Sequence, residues 1–101
     1  MPKVNVQSTS QLSAQESYDR VKGLLENNSD IKSYDPSFDI NFDDSKLTGS
    51  AKGSLFSAEV NVEHSGAYST VSIMLDLPMK LALMKGLIQK KLQSKLDDVL
   101  S

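Results

Sequence analysis

Residues 54–77, "SLFSAEVNVEHSGAYSTVSIMLDL", contain two alternating apolar segments on either side of a glycine. The first segment alternates apolar and polar side chains from Phe56 to Val62, and the second has apolar side chains at every other position from Val71 to Leu77. A period of two places alternate side chains on one face of a strand. A short link that contains glycine joins antiparallel neighbours. The stretch therefore predicts a β-hairpin with one apolar face.

Three further segments have weaker strand patterns. Residues 38–43, "FDINFD", alternate aromatic or aliphatic side chains with acids and an amide. Residues 47–53, "LTGSAKG", are rich in small side chains, which is typical of an edge or bulged strand. Residues 3–8, "KVNVQS", alternate two valines with polar neighbours. Together with the hairpin, these segments predict a sheet of four to five strands.

Two segments have helical periodicity. Ser13 and Glu16 have the spacing of a capping box, which satisfies free backbone N–H groups at a helix start. The apolar stripe of this first helix comprises Tyr18, Val21, Leu24 and Leu25. The second helix closes the chain, with Asp76 as its predicted cap and Pro78 in its first turn. Residues 28–37, "NSDIKSYDPS", form a predicted loop.

The order of these elements predicts the fold class. We expect an α+β domain over residues 1–101, in the order β-α-β-β-β(-β)-α, with both helices packed on one face of an antiparallel sheet. The length of 101 residues, with 39% hydrophobic and 24% charged residues, suits one folded domain.

The closing helix contains more apolar residues than one face requires. At 100° per residue, its main stripe faces the sheet and comprises Leu81, Met84, Ile88, Leu92, Leu96 and Val99. A second ridge comprises Met79, Leu83 and Leu87, and Lys80, Lys90 and Lys91 lie away from the main stripe. The ridge either packs on the first helix or a loop, or it is exposed as a contact surface. An exposed ridge with lysines would suit a homodimer, a protein partner, or an anionic or lipid surface.

The sequence contains no recognisable catalytic or metal-binding motif. Asp39, Asn41 and Asp43 occupy the first three ligand positions of a calcium loop, but Asp44 stands where glycine is needed and Ser50 where glutamate is needed. His64 is the only histidine, and there is no cysteine. We therefore expect no catalytic residue, no metal, no cofactor and no enzyme activity.

The charge is distributed unevenly along the chain. Residues 1–76 contain six Lys/Arg and eleven Asp/Glu, whereas residues 77–101 contain five lysines and two aspartates. The acidic body argues against a nucleic-acid partner. The absence of an apolar leader and of a long apolar segment predicts a cytoplasmic, soluble protein without a transmembrane helix.

Four segments carry a resemblance to a known family. They are Gly53 ahead of "AEVNV", the strand "VSIMLDLP", the closing "LMKGLIQKKLQSKLDDVL" and the front segment "TSQLSAQESYDRVKGLLE". In these segments the chain resembles the polyhydroxyalkanoic acid system family of small bacterial proteins. This resemblance implies an accessory role near polyester granules or other hydrophobic surfaces. It implies no reaction and no catalytic residue.

Three functional hypotheses follow. The first is a non-catalytic accessory or binding protein whose closing helix contacts a polyhydroxyalkanoate granule, another hydrophobic surface or a protein partner. The alternative is a small carrier or sensor that holds an apolar ligand between sheet and helices, where Gly49, Ala51, Gly53 and Ala58 leave space. The third is a ribosome- or RNA-binding domain of similar topology.

Overall fold

The computed structural model describes residues 3–26, 37, 39–54 and 56–100. Most of the predicted loop at 28–37, together with Phe38, lies outside these residues. The elements follow one another along the chain as β1 (Lys3–Ser10), α1 (Ala14–Glu26), β2 (Asp39–Asp43), β3 (Thr48–Lys52), β4 (Ser57–Ser65), β5 (Tyr68–Asp76), a 3₁₀ segment (Met79–Met84) and α2 (Lys85–Leu100).

The five strands form one antiparallel sheet in the order β1-β5-β4-β3-β2. The predicted hairpin is its centre, with β4 and β5 joined through Gly66, whose φ of 62° suits glycine. Both helices pack over one face: α1 contacts β4 and β5, and α2 contacts β1 and α1. The predicted α+β fold class and element order are confirmed.

The core lies between this inner face and the two helices. Alternate residues of the central strands are buried, as the period of two requires: Val60, Val62, Val71, Ile73 and Leu75. Their sequence neighbours Glu59, Asn61 and Glu63 are exposed on the outer face. An antiparallel sheet with one covered and one solvated face has this pattern.

The first helix forms where the capping box predicts it. The backbone N–H of Glu16 donates to the Ser13 hydroxyl at 3.2 Å, so the first turn of α1 has its cap. Tyr18, Val21 and Leu25 are buried against the sheet.

The closing helix differs from the prediction in its first two turns. Residues 79–84 form a 3₁₀ segment, and the regular α-helix begins only at Lys85. Asp76 does not cap it, because Asp76 belongs to β5 and accepts a hydrogen bond from Ser57 at 3.1 Å; Pro78 stands at the cap position without a side-chain bond. The assumed 100° per residue is therefore wrong for this segment, which turns about 120° per residue.

Candidate functional site

The sheet has two chemically different ends. One end carries Ser10, His64 and Ser69, which are register partners, and is called here the hydrogen-bonded end. The other carries the start of the 3₁₀ segment just after β5 and is called the apolar end. Because α2 contacts Gln7 and Ser8 of β1 through Gln93 and Asp97, the closing helical stretch runs from the apolar end to the hydrogen-bonded end.

Buried serines connect α1 to the sheet at the hydrogen-bonded end. The hydroxyl oxygens of Ser17 and Ser69 are 2.7 Å apart, and Ser69 donates to the Leu12 carbonyl at 3.0 Å. Ser69 has one hydroxyl proton, so Ser17 is the donor in the first bond. Both serines are fully buried, so these hydroxyls hold the fold together and do not form an accessible nucleophile.

Side-chain hydrogen bonds also fix α2 at this end. Gln93 donates to the Gln7 carbonyl at 3.0 Å, and Ser8 donates to the Asp97 carboxylate at 2.8 Å. The Arg20 guanidinium donates to the Val99 carbonyl at 3.2 Å, where the helix ends with unpaired carbonyls. The last turns of α2 are therefore held by both β1 and α1.

The turn between β2 and β3 carries a third connection at the hydrogen-bonded end. The Tyr18 hydroxyl donates to the Asp44 carboxylate at 2.5 Å, and the Lys22 ammonium lies 3.2 Å from the same oxygen. Burial, together with Asp44, raises the pKa of Tyr18, and the bond from Tyr18 lowers the pKa of Asp44. The tyrosine ring packs edge-on to Phe42, with 6.0 Å between centroids.

The inner face of the sheet is apolar at the other end. One register row crosses the whole sheet there and contains only apolar side chains: Ile40, Ala51, Ala58, Leu75 and Val4. The two alanines are neighbours in the middle of this row, and Ile40 and Ala58 are only partly buried. The side chains of this row are smallest at Ala51 and Ala58, and this part of the inner face is called here the depression.

Gly49 does not add to this depression. A Cβ atom at Gly49 would lie 2.8 Å from Cδ1 of Phe42, its register partner on β2. The Phe42 ring therefore already occupies the space above the glycine. Of the small residues expected to leave room, Ala51 and Ala58 form the depression, and Gly49 accommodates an aromatic ring.

The start of the closing helical stretch exposes its apolar side chains. Leu83 is fully exposed (101%), Met79 is 71% exposed and Leu87 is 51% exposed. No residue of the 3₁₀ segment is buried, although Leu81 and, beyond the segment, Ile88 pack partly against the core. Partly buried side chains of the sheet and of the helical stretch are thus found at the same end of the molecule.

The residues predicted as a contact surface are all exposed, but they do not form one straight ridge. Leu87 lies one turn from Lys90 and Lys91, and these three share the outer face of α2. In the 3₁₀ segment, residues three apart are eclipsed, so Lys80 lies in line with Leu83. Met79 points about 120° away from Leu83. In a regular 3₁₀ turn, Met79 therefore lies on a different side of the segment from Leu83.

Met84 is the residue that sequence reasoning misplaced. A uniform helical period puts it on the stripe facing the sheet, but its side chain is 43% exposed. The remaining members of that stripe pack as predicted: Leu96 is buried, and Leu81, Ile88, Leu92 and Val99 are partly buried on the core. The 3₁₀ turn does not account for this exception, because Met84 lies three residues after Leu81 and is therefore in line with it.

Polar features elsewhere do not fit an apolar ligand. An open groove of about 580 Å³ runs along α2, and the polar side chains of Gln89, Lys90, Gln93 and Asp97 are among those that line it. Asp43 holds the β2–β3 turn by accepting from the Ser45 hydroxyl at 2.7 Å, which lowers the pKa of this carboxyl. His64 is exposed.

Solved structures of the same fold were found by comparison. At the sequence level, no protein-family model and no curated protein matches the chain. The di-domain aromatase/cyclase BexL from the BE-7585A biosynthetic pathway matches 99% of this chain with a TM-score of 0.69 and 14% identity. The chain spans 45% of BexL.

Two further solved structures match this chain over nearly the whole of their own length. The match to TTHA0849 from Thermus thermophilus covers 98% of this chain and 92% of the TTHA0849 chain, with a TM-score of 0.62 and 14% identity. The match to the Zhui aromatase/cyclase from Streptomyces sp. R1128 covers 98% of this chain and 90% of the Zhui chain, with a TM-score of 0.60 and 9% identity. At such low identity, the likeness concerns the fold alone.

These comparisons correct the expectation that the chain is not an enzyme. Two of the similar structures are aromatase/cyclases, so enzymes do use this fold. The expectation was based on the absence of short motifs, and such motifs reveal only catalytic groups that are neighbours in sequence. Neither the structure nor the comparisons support an association with polyester granules. In the parts of the chain described above, no helix has the length and apolar character needed to cross a bilayer.

Proposed function

We propose that this protein binds a largely apolar ligand between the sheet and the closing helical stretch, at the apolar end. The observation that carries the proposal is the apolar row in which Ile40 and Ala58 are only partly buried, at the same end of the sheet as the partly buried Leu81. The carrier or sensor hypothesis is favoured over granule association, because the fold is shared with aromatase/cyclases.

The ligand class follows from the lining. Ile40, Ala58 and Leu75 offer no hydrogen-bonding side chain, so binding depends on removing apolar surface from water. Such burial contributes about 25 cal/mol per Å². A flat or flexible hydrocarbon skeleton fits this surface, and a strongly polar molecule would lose its hydration without compensation.

The direct test fills the depression. Ala58→Leu adds a branched side chain between Ala51 and Leu75, its partners on the neighbouring strands. We expect the variant to fold and to lose the fluorescence rise that the wild type gives with the neutral apolar dye Nile red. The matched control is Ala67→Leu, at an exposed position of the hairpin turn, which should bind the dye like the wild type.

The stability of the same variant distinguishes empty space from a packed core. If the depression is a binding surface, Ala58→Leu leaves the free energy of unfolding unchanged or raises it. Overpacking of a filled core would instead lower it by about 1–3 kcal/mol. Dye binding that survives in a folded Ala58→Leu variant would overturn the proposal.

A further inference from the structure

A second surface of the molecule is not explained by ligand binding. Residues 79–91, called here the basic apolar segment, expose Met79, Leu83 and Leu87 together with four lysines. We propose that this segment docks the protein on an anionic lipid bilayer surface. The proposal is independent of the apolar ligand, because it concerns the outer side of the helical stretch.

The lysines surround the exposed apolar side chains. Lys90 and Lys91 lie three and four residues after Leu87, the spacing of neighbours on a helix surface. Lys80 lies three residues before Leu83, the spacing at which side chains are eclipsed in a 3₁₀ turn. Each exposed leucine therefore has at least one ammonium group beside it. Lysine stems can lie along an apolar surface while their charge reaches the lipid headgroups.

The charge of the segment calls for an anionic partner. Between Asp76 and Asp97 the chain contains five lysines and no acid. In the part of the chain that the structure describes, none of Lys80, Lys85, Lys90 and Lys91 forms an ion pair. Basic residues next to an anionic leaflet each strengthen membrane binding, and apolar side chains insert at the headgroup boundary.

A second copy of the chain is a poorer match for this surface. In a twofold dimer, the same patch faces itself. The lysines of one protomer would then approach those of the other, and the segment contains no carboxylate to neutralise them. Leu83 also protrudes fully, which suits insertion into a soft interface better than contact with an identical protrusion.

The test measures vesicle binding of the full-length protein by flotation, without added ligand. We expect binding to vesicles of equimolar phosphatidylcholine and phosphatidylglycerol, and much weaker binding to phosphatidylcholine alone. A Lys90→Gln, Lys91→Gln variant should bind the anionic vesicles about 25-fold more weakly, since each lysine contributes about fivefold. The matched control, Lys46→Gln with Lys52→Gln, removes two exposed lysines outside the segment and should bind like the wild type.

A second variant tests the apolar contribution. Leu83→Gln with Leu87→Gln removes exposed side chains only, so the melting temperature should stay unchanged while vesicle binding is lost. Absence of binding to the anionic vesicles, or equal binding by all variants, would overturn the proposal. A wild-type dimer in sedimentation that the leucine variant abolishes would also overturn it and assign the surface to a second copy.

The outcome is separable from that of the ligand proposal. Ala58→Leu changes the inner face of the sheet and should leave vesicle binding intact. The leucine and lysine variants change the outer side of the helical stretch and should leave Nile red binding intact.

Discussion

The two ends of the sheet are built from the same hairpin and covered by the same closing helical stretch, yet they differ in what holds them. At the hydrogen-bonded end, Ser17, Arg20 and Asp97 connect both helices to strands or to each other through side-chain hydrogen bonds. At the apolar end, the helical stretch begins without a side-chain cap and with Leu83 fully exposed. One end thus stabilises the fold, and the other leaves apolar side chains exposed.

The largest expected effect comes from comparing two leucines of the closing helical stretch. Leu96 is completely buried near the hydrogen-bonded end. Leu96→Ala should lower the free energy of unfolding by about 2–5 kcal/mol, because it leaves a cavity. Leu83→Ala, at the apolar end, should change it by less than about 0.5 kcal/mol. Urea denaturation of both variants measures the difference, and similar losses would remove the contrast between the ends.

A smaller effect is expected from the buried serines. Ser69→Ala removes the donor to the Leu12 carbonyl and leaves Ser17 without its partner. Unpaired buried polar groups cost about 1–3 kcal/mol, which thermal or urea unfolding should detect. Ser94→Ala, at an exposed position of α2, is the control and should be nearly neutral. If the two variants melt alike, the serine network does not hold α1 to the sheet.

Gly49 tests whether small residues of β3 mark filled or empty space. Gly49→Ala should lower the free energy of unfolding by about 1–3 kcal/mol, because its Cβ would meet the Phe42 ring at 2.8 Å. Gly23→Ala in α1 meets no atom within 4 Å and should raise the free energy by up to about 1 kcal/mol. We expect the two variants to shift the melting temperature in opposite directions. A Gly49→Ala variant more stable than the wild type would contradict the packing described here.

The smallest effect is the pH dependence of the Tyr18–Asp44 bond. This bond holds the pKa of Asp44 below its ordinary value in the folded state. Its contribution to stability is therefore present above the unfolded pKa of about 4 and is lost as the pH falls through the lower folded value. The melting temperature of Tyr18→Phe should lie below that of the wild type at neutral pH, and the gap should narrow below about pH 4. Tyr68→Phe, at an exposed position, should show no gap at any pH.

The sheet and first helix could be predicted because their signals are local. Alternation from Phe56 to Leu77 and the glycine turn fix the central hairpin, and the Ser13–Glu16 spacing fixes the start of α1. These signals depend on residues only a few positions apart. The hydrogen bonds that distinguish the two ends join residues far apart, such as Ser8 and Asp97, so no local pattern could reveal them.

The closing helical stretch shows where such reasoning fails. Over the six residues from Met79 to Met84, periods of 3.0 and 3.6 cannot be told apart from the apolar pattern, so the sequence alone did not reveal the 3₁₀ segment. The sequence also did not determine whether Leu83 and Leu87 are exposed. Their exposure depends on which elements pack beside the closing helical stretch, and that placement is a tertiary feature.

The central claim is that apolar ligands bind at one end of the sheet and not at the other. Its most direct test is a methyl NMR titration of the full-length protein with Nile red. We predict shifts for the methyl groups of Ile40, Ala58 and Ile88, while those of Val71 and Leu96 stay in place. Shifts at Val71 and Leu96 alone, or no shift at saturating dye, would contradict the account.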